Sequence, residues 1–203
     1  MSLGERAVVI ESGGLRLEGM RHDGEGRLAA VILHPHPRYG GDMDNHVVAA
    51  VYGALAAHGA ATLRFNFRGT GRSEGRFDNG NGERDDARAA IAALRETAPG
   101  AQLVVAGYSF GALIAADIAA EYELAGLILV SPPVAFAPLG ALPDVPALIV
   151  TGEFDDVAPA EALAGLAGLR RKVAVVPGAG HAWWPGADLL SAELFANAAD
   201  LAG

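Results

Sequence analysis

Three residues able to carry nucleophilic acyl chemistry stand in the chain order Ser109, Asp155, His181. Ser109 is the centre of Gly107-Tyr108-Ser109-Phe110-Gly111, between an apolar run at 102–106 and an amphipathic stretch at 112–122. G-x-S-x-G at a strand-to-helix junction is the spacing of a nucleophile elbow. The serine occupies a sharp, strained turn, so its hydroxyl projects clear of the sheet. Side chains two residues before and two after would collide in so tight a turn, and Gly107 and Gly111 supply none. The helix that starts there aims its N-terminal amides at negative charge developing near Ser109.

Asp155 follows an apolar strand in Thr151-Gly152-Glu153-Phe154-Asp155-Asp156, and His181 follows the last one in Pro177-Gly178-Ala179-Gly180-His181. In a triad of this order His181 takes the Ser109 proton and later returns it to the leaving group, while Asp155 fixes the imidazole tautomer. Asp156 is the rival for the acid. His34-Pro35-His36-Pro37 follows the central strand, where the second donor of an oxyanion hole belongs. Neither proline has an N–H, so the amides expected at the oxyanion are those of His36 and Phe110. Each residue taken singly also has an ordinary structural explanation: a tight turn holding a serine, a solvated carboxylate before a helix, an exposed histidine. Their order, and their places directly after strands, favour the triad.

The elements that must position these residues are read from hydrophobic periodicity. Segments 7–10 and 15–21, joined at Ser12-Gly13-Gly14, predict a hairpin. Unbroken apolar runs at 28–33, 61–65, 103–106, 127–130, 147–150 and 173–176 suit parallel strands covered on both faces. Helical spacing fills the intervals: from the N-cap Asn45 to His58-Gly59, then 87–97, 112–122, 161–169 and 189–201. Strand-helix alternation predicts a doubly wound α/β sheet in one domain, 1–203, with ligands beyond the strand C-termini. His34, Asn66, Ser109, Ser131, Gly152 and Pro177 each lie at such an end.

Composition agrees with a folded enzyme. Of the 203 residues 51% are hydrophobic, and the formal charge of −9 argues against a nucleic-acid partner. With no cysteine there is neither a disulfide nor a thiolate metal site. The N-terminal residues lack the apolar core of a signal peptide and no run is long enough to span a bilayer, so a cytoplasmic protein without membrane contact is expected.

The chain resembles the α/β-hydrolase superfamily over nearly its whole length. More narrowly it resembles small, lidless, dienelactone-hydrolase-like bacterial serine hydrolases, through HPHPRYGGDMDN (34–45), FNFRGTGRSEG (65–75) and GYSFGA (107–112). The resemblance implies an eight-stranded, mostly parallel sheet with an antiparallel second strand and helices on both faces. It also implies Ser109, Asp155 and His181 as triad, with the His36 and Phe110 amides at the oxyanion. Asp155, not Asp156, falls at the family's acid position. Residues 131–145, rich in proline, are too few for the cap domain that many members insert, so an open site is expected.

The function expected is hydrolysis of a small acyl ester without cofactor or metal, by a monomer or homodimer. Thioesterase, peptidase and acyltransferase activities use the same triad. Tyr39 and Trp183 are assigned to substrate binding, and Phe136, Leu139, Trp183 and Trp184 to the acyl pocket, with core cover or oligomer contact as their alternative. Two other classes compete: a metal-dependent hydrolase built on His34, His36, Asp42, Asp44 and His46, and a non-catalytic binding protein on the same fold. Gly69-Thr70-Gly71-Arg72-Ser73-Glu74 lacks the last small residue of a dinucleotide fingerprint. It reads instead as pocket wall, with Arg68 and Arg72 either structural or facing substrate.

Overall fold

The structure, a computed structural model, describes residues 4–198. Eight strands and five helices alternate along them. In chain order they are β1 (Glu5–Ser12), β2 (Leu15–His22), β3 (Leu28–Leu33), α1 (His46–Ala57), β4 (Ala61–Phe65), α2 (Asn81–Thr97) and β5 (Gln102–Tyr108). Then come α3 (Phe110–Ile118), β6 (Leu124–Val130), β7 (Ala147–Gly152), α4 (Ala160–Leu163), β8 (Arg171–Val176) and α5 (Ala187–Ala198). The strands form one sheet in the order β1-β2-β4-β3-β5-β6-β7-β8. β2 runs antiparallel to both β1 and β4, and every other pairing is parallel. This is the α/β-hydrolase sheet that the resemblance implied.

The central strands are apolar on both faces because both faces are covered. Along β3, Ala29, Val31 and Leu33 belong to the core that takes in residues of α2, α3 and α4, while Leu28, Ala30 and Ile32 belong to the core that takes in residues of α1 and α5. The period of two divides one strand between two cores. All six residues of β3 are buried.

Two elements differ from the sequence reading for identifiable reasons. α2 starts six residues earlier, at Asn81, because the buried Glu83 carboxylate accepts the Asp78 and Gly80 amides at 2.8 and 2.7 Å and caps the helix. The segment expected to be helical over 161–169 closes after one α turn and a 3-10 turn ending at Leu166. Gly165 and Gly168 fall in that stretch, where the entropy cost of glycine works against a longer helix. The last helix is described to Ala198, and its expected end at 201 lies outside the described residues.

Residues 131–145 form the connection from β6 to β7, held to the loop after β7 by the Ala135 N–H donating to Val157 O at 3.1 Å. No cap domain is inserted there. Among the described residues no helix is long and apolar enough to cross a membrane.

Candidate active site

β5 ends at Tyr108 and α3 begins at Phe110, leaving Ser109 as the single residue of the turn, at φ 54° and ψ −116°. The glycines at either side are required by contact. A Cβ on Gly107 would stand 2.2 Å from the Gly111 carbonyl oxygen, and one on Gly111 would stand 2.2 Å from that of Leu33. Both obstacles are backbone, so neither can swing away.

The loops after β7 and β8 bring the partners to the serine. Ser109 Oγ lies 3.0 Å from His181 Nε2. His181 Nδ1 lies 3.0 Å from Asp155 Oδ1 and 3.1 Å from Oδ2. Asp155 is buried and also accepts the Val157 and Ala158 amides at 3.0 and 2.9 Å. Burial alone would raise its pKa, but hydrogen bonds from His181 and Ser131, the His181 charge and the Ala158 amide together hold it below the ordinary value. An ionised carboxylate can only accept. The Nδ1 proton of His181 therefore points at Asp155, and the Nε2 lone pair faces the Ser109 hydroxyl. Asp156, by contrast, is exposed.

Tyr108 supports the histidine from beneath, its hydroxyl donating to the His181 carbonyl at 2.6 Å. Burial and the Asp155 charge push this phenol above its usual pKa, so it stays a neutral donor. Sequence reasoning passed over Tyr108 because it fills a variable position of G-x-S-x-G.

The loop after β3 carries the other expected amide. His34 is wholly buried; its Nδ1–H donates to the Pro35 carbonyl at 2.6 Å and its Nε2 accepts the Phe67 amide at 3.0 Å. It thereby ties the start of the loop to the residues after β4. The His36 ring accepts the Arg38 amide at Nδ1 and packs on Phe77 and Phe110, with ring centres 4.7 and 5.0 Å apart. Among the described residues the His36 amide makes no hydrogen bond. Phe110, first in α3, has no intrahelical acceptor for its own.

Burial drives the His34 pKa down to about 4, outweighing the hydrogen bond to Pro35 that favours the charged form. In an unfolded chain a histidine titrates near 6.5, so below that pH the unfolded state binds a proton that the folded state refuses. Stability therefore falls as pH drops from about 6.5 to about 4, by about 3 kcal/mol in total from this group, and levels off below. Melting temperatures measured across that window should show the loss in the native chain and a shallower slope in His34→Gln.

The residues weighed as metal ligands are dispersed. His34 and His36 make the bonds just described, Asp42 accepts the Asp44 amide, Asp44 pairs with Arg64, and the His46 ring stacks on Trp184 at 4.5 Å. Among the described residues no group of three or more acidic or histidine side chains is placed to hold a metal ion.

Ser109 opens into a cleft of about 650 Å³ whose walls include Tyr39, His46, Leu113, Phe136 and Trp184. Tyr39 and Phe136 stand exposed on its rim. Trp183 does not line it, and its assignment to substrate binding is corrected here. The ring is fully buried, its indole N–H donating to Ser131 Oγ at 3.0 Å, and Trp184 faces the cleft in its place. Adjacent residues point apart, so a tryptophan pair reads the same in sequence whichever one is inside. Leu139 likewise packs on the core and is absent from the cleft wall.

Both arginines of the glycine-rich loop are taken up by carboxylates. Arg68 donates from Nε and Nη2 to the buried Asp86 at 3.0 and 2.7 Å, and Asp86 also accepts Ser12 Oγ. Arg72 Nε donates to Glu18 at 2.7 Å. Neither reaches the cleft. A concavity of similar size, about 670 Å³, lies at the opposite end of the sheet between the loops at Gly24 and Gly100, remote from the serine.

A family model described as Serine aminopeptidase, S33 matches residues 39–145, more than half of the chain. A protein of Rickettsia prowazekii is 41% identical over 140 residues, which span 65% of this chain and 58% of that protein. The structure of an α/β serine hydrolase homologue from Coxiella burnetii superposes with a TM-score of 0.87 at 35% identity, covering 95% of this chain and 96% of that one. An α/β serine hydrolase without lid from Xanthomonas campestris gives a TM-score of 0.89 at 27% identity, covering 98% and 96%. Fold, elbow and sequence matches agree, and the chain belongs to the α/β-hydrolase superfamily, within the family whose model is described as Serine aminopeptidase, S33.

Proposed function

We propose that this hydrolase cleaves small, uncharged acyl esters through an acyl-enzyme on Ser109. The observation that carries the reading is the aligned Ser109–His181–Asp155 chain of hydrogen bonds, at 3.0 Å for each step, opening into an apolar cleft. As Ser109 Oγ bonds to the ester carbonyl carbon, His181 Nε2 takes the hydroxyl proton, and the oxyanion is met by the His36 and Phe110 amides. Collapse of the adduct expels the alcohol, which leaves with the proton held on His181. Water then attacks the acyl-enzyme, giving its proton to Nε2 and regenerating Ser109 as the acid departs. No cap covers the cleft, so water has direct access to the acyl group.

The cleft's charge supports an ester over an amino-terminal peptide. An aminopeptidase must hold a free α-ammonium group beside the scissile carbonyl, which requires a nearby anion or a ring of acceptors. Among the described residues no Asp, Glu, Lys or Arg lines the cleft, and the Asp155 carboxylate is buried behind His181. A neutral acyl group fits this surface and a charged one loses its hydration there.

The test is a comparison of p-nitrophenyl acetate and butyrate with leucine p-nitroanilide. The expected outcome is a kcat/KM for the esters at least about 100-fold higher, equivalent to about 3 kcal/mol of transition-state discrimination. Preference for the aminoacyl anilide would overturn the ester assignment while leaving the nucleophile in place.

A further inference from the structure

Four non-glycine residues have positive φ among the described residues: Asn79, Ser109, Ser131 and Trp183. For a bulky residue this backbone is an outlier, and it persists only where the surroundings over-determine it. The elbow explains Ser109. Nothing in the chemistry so far explains Ser131 at φ 45° or Trp183 at φ 59°, yet these two meet in a single hydrogen bond, Trp183 Nε1–H to Ser131 Oγ at 3.0 Å.

Both are fully buried, and both adjoin the triad. Trp183 lies two residues beyond His181, its amide donating to the Gly180 carbonyl at 3.1 Å. Ser131 follows β6 directly, and its amide donates to Val150 O at 2.7 Å, which seats it beside β7 and the loop that carries Asp155. A hydroxyl that accepts from an indole still has its own proton to place, and the loop that Ser131 is seated against carries the Asp155 carboxylate, an acceptor with lone pairs to spare beyond its bonds from His181, Val157 and Ala158. Packing alone would call for neither the indole N–H nor two strained residues.

We propose that Ser131 and Trp183 are positioning residues for the acid of the triad: the indole N–H fixes the Ser131 hydroxyl so that its proton faces Asp155 and locks the carboxylate toward His181. The proposal rests on the reading of Ser109, His181 and Asp155 as the catalytic groups. Three donors, His181 and the Val157 and Ala158 amides, meet at Oδ1. A further donor from another strand stops the carboxylate turning about its bond to Cβ. It also withdraws electron density, which lowers the basicity that Asp155 imposes on His181. The titratable groups facing the carboxylate are His181 and Tyr108, and the latter stays neutral.

The test compares Ser131→Gly, Trp183→Phe and the double variant with the native chain, using p-nitrophenyl acetate turnover and the rate of fluorophosphonate labelling. Glycine accepts φ 45° without strain and lacks only the hydroxyl; phenylalanine keeps most of the ring and lacks the N–H. Ser131→Gly is expected to lose about tenfold or more in kcat with KM within about twofold, and to move the acid limb of kcat/KM upward by about half a unit. Trp183→Phe should lose less, and the double variant should be no slower than Ser131→Gly, because the indole acts through the hydroxyl. A double variant that melts close to the native chain and carries the full kinetic loss separates positioning from folding. Native kcat and acid limb in Ser131→Gly, or losses that multiply in the double variant, would overturn the proposal. Absence of labelling in the native chain would remove the triad reading and this proposal with it, whereas a labelled native chain with an unaffected Ser131→Gly rejects the positioning role alone.

Discussion

Ser109→Ala is expected to lower kcat for an acyl ester by about 10⁵- to 10⁶-fold, the scale on which removal of a serine nucleophile acts in unrelated folds with this constellation. That is about 7–8 kcal/mol of transition-state stabilisation. The size follows from the geometry. Ser109 Oγ is the atom that bonds to the carbonyl carbon, and without it His181 and the two free amides can only assist water. The substitution removes a single oxygen from a half-buried turn whose backbone is fixed by Gly107 and Gly111. The melting temperature should therefore stay within a few degrees of the native value, and ester binding, measured as competition with an active-site ligand, should be retained. Steady-state kinetics and thermal unfolding on the same preparation check both halves. A large drop in melting temperature would mean that the oxygen serves the fold.

Asp155→Asn is expected to cost about 10⁴-fold in kcat, and Asp156→Asn less than about twofold. An amide at 155 can turn its NH2 toward His181 Nδ1, which leaves the imidazole proton on Nε2, the atom that must accept from Ser109. It also withdraws the charge that stabilises the imidazolium formed during attack. Asp156 is exposed and makes no hydrogen bond among the described residues, so its substitution changes only a solvated charge. Comparable losses from the two variants would mean that the acid loop is wrongly read.

The chemistry of the site was legible in sequence where a steric rule stood behind the pattern. G-x-S-x-G admits glycines for a reason that can be checked atom by atom, and both positions meet a carbonyl oxygen at 2.2 Å. The sheet was legible because strands covered on both faces must be apolar throughout, and β3 is. Geometry at the cleft wall was not. Trp183 and Trp184 share one composition and differ only in direction, and that direction is set by the positive φ at Trp183 and its bond to Ser131, neither of which leaves a periodic signal. Arg68 and Arg72 could face substrate on sequence grounds. Their carboxylate partners, Asp86 and Glu18, lie 18 and 54 residues away along the chain and were visible only after folding. The early start of α2 escaped for a similar reason, since its cap, the Glu83 carboxylate closing on the Asp78 and Gly80 amides, exists only once the chain has folded. Ser131 did have a signal, its place directly after a strand at the end of the sheet where ligands bind.

The most direct measurement is covalent labelling by a fluorophosphonate probe followed by mass spectrometry of the native chain and Ser109→Ala. An adduct on Ser109 alone, absent from the folded variant, is the result expected of a serine activated by His181. A folded native chain that takes up no probe, or one labelled equally in Ser109→Ala, would contradict the assignment of Ser109 as nucleophile.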